Sequence, residues 1–280
     1  MKKLIAWITD PHLNFLPLGG AASFALGVRE DYPGLTDVVI TGDIGEFHNF
    51  VELTNEFADA VEVPVWFVFG NHDCYGGSID KARIKARSMR GNARWLVEEK
   101  LVEITKDTAL VGHDGWYDAR NGEPTRSNVV MNDFIQIREF IVSSVFTDMY
   151  GSKISMGEAS HTAQGIADTF AKEARPLLEN AVEKGYKHIL FATHVPPYAL
   201  STWHEGKISD KNWLPWMSSR VMGELIDSVA RKNPDVQFTV LCGHTHSSGV
   251  YKPHKNVEVK TGHAAYRHPR VCGTFGFEEE

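Results

Sequence analysis

Seven residues of metal-binding type stand directly after short apolar runs in this chain: Asp10, His12, Asp43, Asn71, His194, His244 and His246. Carboxylates crowded at the end of an apolar run repel one another and lose hydration, so they call for a counter-charge. Divalent cations supply it. Carboxylate oxygen, amide oxygen and imidazole nitrogen together suit manganese, iron, zinc, nickel or cobalt better than calcium, which prefers all-oxygen shells. Asp43 has two carboxylate oxygens and can bridge two ions, while Asp10 adds a second negative charge, so two dications keep a positive excess. That excess suits a bridging hydroxide and a phosphate ester, because paired metals about 3.5–4 Å apart drive in-line displacement. Asp and Asn also cap turns, but capping does not call for imidazoles and carboxylates together at five separate strand ends.

The elements that must position these groups read as alternating strands and helices. Segments 4–9, 37–41, 65–69, 109–112, 188–193 and 236–242 are short, apolar and rich in β-branched residues, the pattern of buried strands. Helical spacing links Phe50, Leu53, Phe57 and Val61, and later Val221, Leu225, Ile226 and Val229. This alternation is that of a layered α/β fold. The polar residues follow five of the strands and are expected at one edge of the sheet, the usual place for a site in open α/β sheets. Gly42, Gly70 and Gly243 read as structural, allowing backbone conformations closed to other residues.

Three regions are less regular. Segment 166–182 has helical spacing but contains Pro176, which predicts a kink or two abutting helices. The tail 250–277 has short strand-like runs such as 257–261, interrupted by Pro253 and Pro269, and is expected to end a sheet. Residues 116–165 read as an insertion over the scaffold, either a helical decoration packed on the core or a lid over substrate.

The ordered set D-x-H at 10–12, G-D-x-x-E at 42–46, G-N-H-D at 70–73, T-H-V-P-P at 193–197 and G-H-T-H at 243–246 resembles the calcineurin-like metallophosphoesterases. The match spans nearly the whole chain. The resemblance implies a four-layer α/β/β/α sandwich with two central mixed sheets and the metal site at strand C-terminal ends. It also implies that Asp10, His12, Asp43 and His246 hold one metal, that Asp43, Asn71, His194 and His244 hold the other, and that His72 is the general acid. The family's second motif more often closes on Asn or Asp where this chain has Glu46, which leaves the ligand set intact but gives Glu46 no inherited role.

Read from the residues, His72 either delivers a proton or only hydrogen-bonds the bound phosphate. Asp73 either orients His72 and raises its pKa or is a turn residue. His113 and Asp114 follow a strand and either reach the rim of the site or leave His113 as a solvated histidine. Tyr198, Trp203, Trp213 and Trp216, with His204 and Lys207, form a segment that either grips a leaving group or packs as a loop.

Composition bounds these readings. A chain of 280 residues, 42% hydrophobic and 23% charged, buries a substantial core, and one decorated domain over 1–280 is expected. The formal charge of -7 argues against binding long nucleic acid over the whole surface. Cys74, Cys242 and Cys272 support neither a disulfide framework nor a thiolate zinc cluster and fit a reducing cytoplasm. The apolar start is cut short by Asp10, and no later run approaches the roughly 20 residues that cross a bilayer. The expected activity is hydrolysis of a small phosphate mono- or diester by metal-activated hydroxide. A non-catalytic scaffold of the same fold and a nuclease are the alternatives.

Overall fold

The computed structural model describes residues 2–89, 91–148 and 151–278. Its strands are β1 (Lys2–Ile8), β2 (Asp37–Thr41), β3 (Val65–Val68), β4 (Ala93–Trp95), β5 (Val102–Thr105), β6 (Thr108–Gly112), β7 (Val145–Asp148), β8 (Gly151–Ile154), β9 (His188–Ala192), β10 (Trp203–His204), β11 (Lys207–Ile208), β12 (Gln237–Cys242), β13 (Gly249–His254), β14 (Val257–Thr261) and β15 (Gly273–Glu278). The helices are α1 (Gly20–Asp31), α2 (Phe50–Val61), α3 (Ile79–Arg87), α4 (Leu96–Glu99), α5 (Asp133–Gln136), α6 (Arg138–Ser144), α7 (Met156–Glu183), α8 (Leu214–Met217) and α9 (Arg220–Lys232).

The six apolar runs do not make one sheet. They divide between a five-stranded sheet, ordered β15-β1-β2-β3-β4, and a six-stranded sheet, ordered β13-β14-β12-β9-β6-β5. Both are mixed. β1 to β4 are parallel and β15 joins β1 antiparallel. In the second sheet β14, β12, β9 and β6 are parallel, with β13 and β5 antiparallel at the edges. Apolar periodicity shows that a strand is buried on both faces but carries no information on its partners.

Alternate residues of one strand serve two different cores, since successive side chains point to opposite faces. Ile5 and Trp7 of β1 meet Leu190, Ala192 and Leu241 of the second sheet, forming the layer between the sheets. Ala6 and Ile8 face the helices, in a cluster with α1, α2 and α3. On the far side, Ile189, Phe191 and Val240 pack under α9 and the second half of α7. Four layers result: helices, sheet, sheet, helices. Trp7 in the middle layer keeps its indole N–H satisfied by donating to Thr41 Oγ1 at 3.0 Å, as a buried Trp requires.

Pro176 does not divide α7, which runs as one helix of 28 residues. Ala174, Leu177, Leu178 and Ala181 are buried around the proline, and this packing offsets a cost of about 3 kcal/mol. Pro253 lies in β13, an edge strand with a bulge between Tyr251 and His254, where a missing N–H is tolerated. Residues 116–165 carry α5, α6, the β7–β8 hairpin and the start of α7. Trp116, Tyr117, Phe134 and Phe140 from this stretch are buried in the same apolar cluster as α1 to α3.

Candidate metal centre

The loops after β1, β2 and β3 leave one sheet, and those after β9 and β12 leave the other; all five meet at the C-terminal ends of parallel strands. Backbone bonds lace them together. Asp10 N donates to Gly42 O at 3.1 Å, His12 N to Asp43 O at 2.9 Å and Gly243 N to His194 O at 2.9 Å. Asp10 then joins the two sheets, because both its oxygens accept from His244 N, at 3.0 and 3.1 Å.

The backbone at this junction is strained. Ten described non-glycine residues have positive φ, and Asp10, His12, Asp43, His244 and His246 are five of them. Such conformations cost on the order of 1–3 kcal/mol each and persist where the surroundings over-determine them, which is commonly at functional sites. Gly42, at φ 88°, sits against His194 Nδ1 and Gly70 N so closely that a side chain has no room. A Cβ on Gly70 would overlap Asp43 Oδ1.

The donor atoms fall into two groups that share Asp43. In the first, His246 Nε2 lies 3.3 Å from Asp10 Oδ1 and 3.2 Å from His12 Nε2, which is 3.8 Å from Asp43 Oδ2. Ligand atoms of Asp10, His12, Asp43 and His246 all lie within 4.8 Å of one another. In the second, Asn71 Oδ1 lies 3.1 Å from both His194 Nε2 and His244 Nδ1. Those two nitrogens are 3.2 Å apart, and Asp43 Oδ1 is 3.5 Å from His194 Nε2. Edges of about 3.0–3.4 Å are what two nitrogens show when each is about 2.1 Å from one ion at angles of 90–109°.

Hydrogen bonds outside the second group decide which atoms face inward. His194 Nδ1 lies 2.9 Å from Thr41 O and His244 Nε2 2.9 Å from Trp216 O. A carbonyl only accepts, so these nitrogens carry the protons and the inward nitrogens are lone pairs. Asn71 Nδ2 donates to Tyr75 Oη and Asp133 Oδ1, both at 2.9 Å, which turns Asn71 Oδ1 inward. Three lone pairs therefore converge at 3.1–3.2 Å without a proton to share. A cation among them removes the repulsion, and the donor set fits a divalent metal.

Charges point the same way. Burial and the Asp10 carboxylate push Asp43 well above the usual carboxylate range. Burial would also raise Asp10, but His194, His246 and His12 outweigh it and hold that carboxyl well below. Burial pushes His12 down to about 2 and His244 to about 3, so both rings are neutral, the form that binds metal. Burial would lower His246 too, but Asp10 and Asp43 hold it above the ordinary imidazole range. Without a cation, protons on Asp43 and His246 offset the Asp10 charge, and a divalent metal would take the place of those protons.

The family profile of the calcineurin-like phosphoesterases matches residues 4–248. The chain belongs to this family. It is therefore a metal-dependent hydrolase of phosphate esters, and the family implies divalent metal ions and small phosphate-ester substrates. Solved structures share the fold of this phosphoesterase at low identity. A dimetal phosphatase from Danio rerio is 15% identical with a TM-score of 0.56, covering 95% of this chain and 89% of that one. The phosphopantetheinyl hydrolase of Mycobacterium tuberculosis is 15% identical with a TM-score of 0.65, over 95% and 90%. No curated protein matches by sequence. Among the described residues no helix is long and apolar enough to cross a membrane.

Other expected residues of the phosphoesterase fall in different places. His72 Nε2 is 3.9 Å from Asp43 Oδ2 and faces the site; burial, then His194, push its ring down to about 3. Asp73 does not orient His72. Its oxygens accept from the backbone N–H groups of Ile44, Gly45 and Gly70 at 2.8–2.9 Å, tying the loops after β2 and β3. His113 and Asp114 are neither solvated nor at the rim. His113 is buried and 3.1 Å from Glu173 of α7, while Asp114 accepts from Phe69 N and Trp95 Nε1. Glu46 lies near Asn14 and His48; His48 is exposed and outside the cleft.

Tyr266 and Asp133 carry no motif and escaped the sequence reading. The Tyr266 ring lies 4.4 Å from that of His12 and 5.3 Å from that of His246, forming a wall of the site. An apolar face at helical spacing around Phe134 offers only the faintest signal for its neighbour Asp133, which is fully buried. A cleft of about 620 Å³ opens from the centre. Val130, Met131, Trp213 and Met217 give it an apolar side, while His204 and Lys207 on the β10–β11 hairpin give it a polar one.

Proposed function

We propose that the chain hydrolyses small phosphate esters at two divalent ions, one held by Asp10, His12, Asp43 and His246, the other by Asp43, Asn71, His194 and His244. The observation that carries this reading is the split of Asp43, whose Oδ2 faces the first donor group while Oδ1 faces the second. When bound, such ions supply Lewis-acid charge to the phosphoryl group and lower the pKa of a water so that it attacks at neutral pH.

The chain's own residues do the rest. His72 borders the Asp43 side of the site, within reach of a departing oxygen, and serves as the general acid. Its ring is neutral by burial, so the acid form is drawn by the incoming phosphate anion, which favours a protonated neighbour. The cleft receives the alcohol half of the ester between Trp213 with Met131 and the β10–β11 hairpin. At this volume it accepts an organic group well beyond a methyl ester. Among the described residues that line it, Lys207 is the single Lys or Arg, which favours a small ester over a long nucleic-acid strand, whose binding needs many phosphate contacts. Val130, Met131 and Asn132 of the 116–165 segment line this cleft, and we read that segment as a decoration of a single domain.

The test is turnover of nitrophenyl phosphate mono- and diesters by purified protein. Activity is expected to vanish with a chelator and return with manganese, and Asp43→Asn is expected to abolish it while the far-ultraviolet circular dichroism stays unchanged. Turnover indifferent to the chelator would falsify the proposal, and a folded wild type with no turnover on any ester would favour a scaffold.

A further inference from the structure

Asn71 can face its neighbours in two ways that differ by a half-turn of its amide. One presents Oδ1 to His194 and His244; the other presents the NH₂ group, which cannot bind a metal. The choice is made on the far side of the amide. Asn71 Nδ2 donates to Asp133 Oδ1 at 2.9 Å. Tyr75 Oη donates to the same oxygen at 2.7 Å, and Tyr117 Oη to Asp133 Oδ2 at 2.7 Å. Asp133 and Tyr117 are fully buried, and Asn71 and Tyr75 nearly so. Both Asp133 oxygens already accept from phenol hydroxyls, so a flipped amide would set oxygen against oxygen in a buried place.

We propose that Asp133 is a positioning residue that fixes the Asn71 amide with its oxygen toward the His194 and His244 nitrogens and polarises it as a metal donor. This rests on the dinuclear reading above. It gives residues 116–165 a role that no motif records, because Asp133 opens α5 within that segment and Tyr117 lies near its start. A carboxylate behind a ligand raises that ligand's basicity, and loss of such a partner typically costs about 10–100-fold in metal affinity. Asp133 touches neither ion nor substrate on this account, so its effect must pass through Asn71.

The experiment measures manganese affinity by titration calorimetry, and metal per chain by element analysis, for wild type, Asp133→Ala, Asn71→Ala and the double variant. Asp133→Ala is expected to weaken one of two ions about 10–100-fold and to leave the other unchanged. In the Asn71→Ala background the same change is expected to cost nothing further, which a merely structural defect would not reproduce. Asp133→Asn keeps the shape and one acceptor, and serves if the alanine variant does not fold; it is expected to weaken the same ion by a smaller factor, under about 10-fold. Two ions held as tightly in both Asp133 variants as in wild type would overturn this inference alone, as would additive losses in the double variant. A wild type that binds fewer than two ions would overturn the dinuclear reading and this inference with it.

Discussion

His72 presents a neutral ring beside Asp43, because burial holds its imidazole down at about 3. If the incoming phosphate supplies the field that protonates it, the residue matters most for leaving groups that cannot depart as anions. An alkoxide must be protonated as it leaves, whereas nitrophenolate leaves unaided. His72→Ala is therefore expected to slow an alkyl ester by about 10²–10⁴-fold and a nitrophenyl ester far less, with metal content unchanged. Equal losses for the two esters in steady-state assays would make His72 a phosphate-binding residue. Asp73 plays no part in that comparison, since its carboxylate is occupied by three backbone N–H groups.

Helix α7 is held to the rest of the molecule at Glu173, which accepts from Arg83 of α3 and from His113 after β6. The hydrogen bond from His113, with help from Arg83, outweighs partial burial and lowers Glu173 from the ordinary 4.5 to about 2. A carboxyl whose folded pKa lies below its unfolded one stabilises the fold above the unfolded value and loses that contribution as pH falls through the folded one. The side chain is partly exposed, so solvent screening keeps the contribution to about 1 kcal/mol. Glu173→Gln is expected to be less stable than wild type by that amount at pH 7 in urea denaturation, with the gap closing between pH 4.5 and 2. A gap independent of pH would assign the effect to packing of the side chain instead of its charge.

At the scale of the whole molecule, the site is the seam between the two sheets. Three of its loops come from one sheet and two from the other, and Asp10 accepts from His244 across the junction. A ligand that binds only the folded seam stabilises both sheets at once, by about 2.7 kcal/mol at a hundred times its dissociation constant. Manganese in that excess is expected to raise the melting temperature by roughly 5 °C or more, and a chelator should reverse the shift in scanning calorimetry. A melting temperature that does not respond to metal would contradict a centre shared by the sheets.

The sequence by itself determined the strands of the core, the ends at which polar residues collect and, through five ordered motifs, the family. Those features are local: an apolar run followed by Gly-Asp or His-Thr-His is legible in a few adjacent residues. Which runs pair was not, and the six runs split between two sheets because a strand buried on both faces reads alike in either. The fates of His113, Asp114 and Asp73 were hidden for the same reason, since each has a partner 28 to 60 residues away. Asp133 is the clearest case. Its sequence neighbours say nothing of metal, and only the packing of α5 beneath Tyr75 and Tyr117 brings its carboxylate, 62 residues along the chain, to the amide of Asn71. Hydrogen bonds act over about 3 Å of space whatever the distance along the chain, so the groups that aim the site became visible only once the chain was folded.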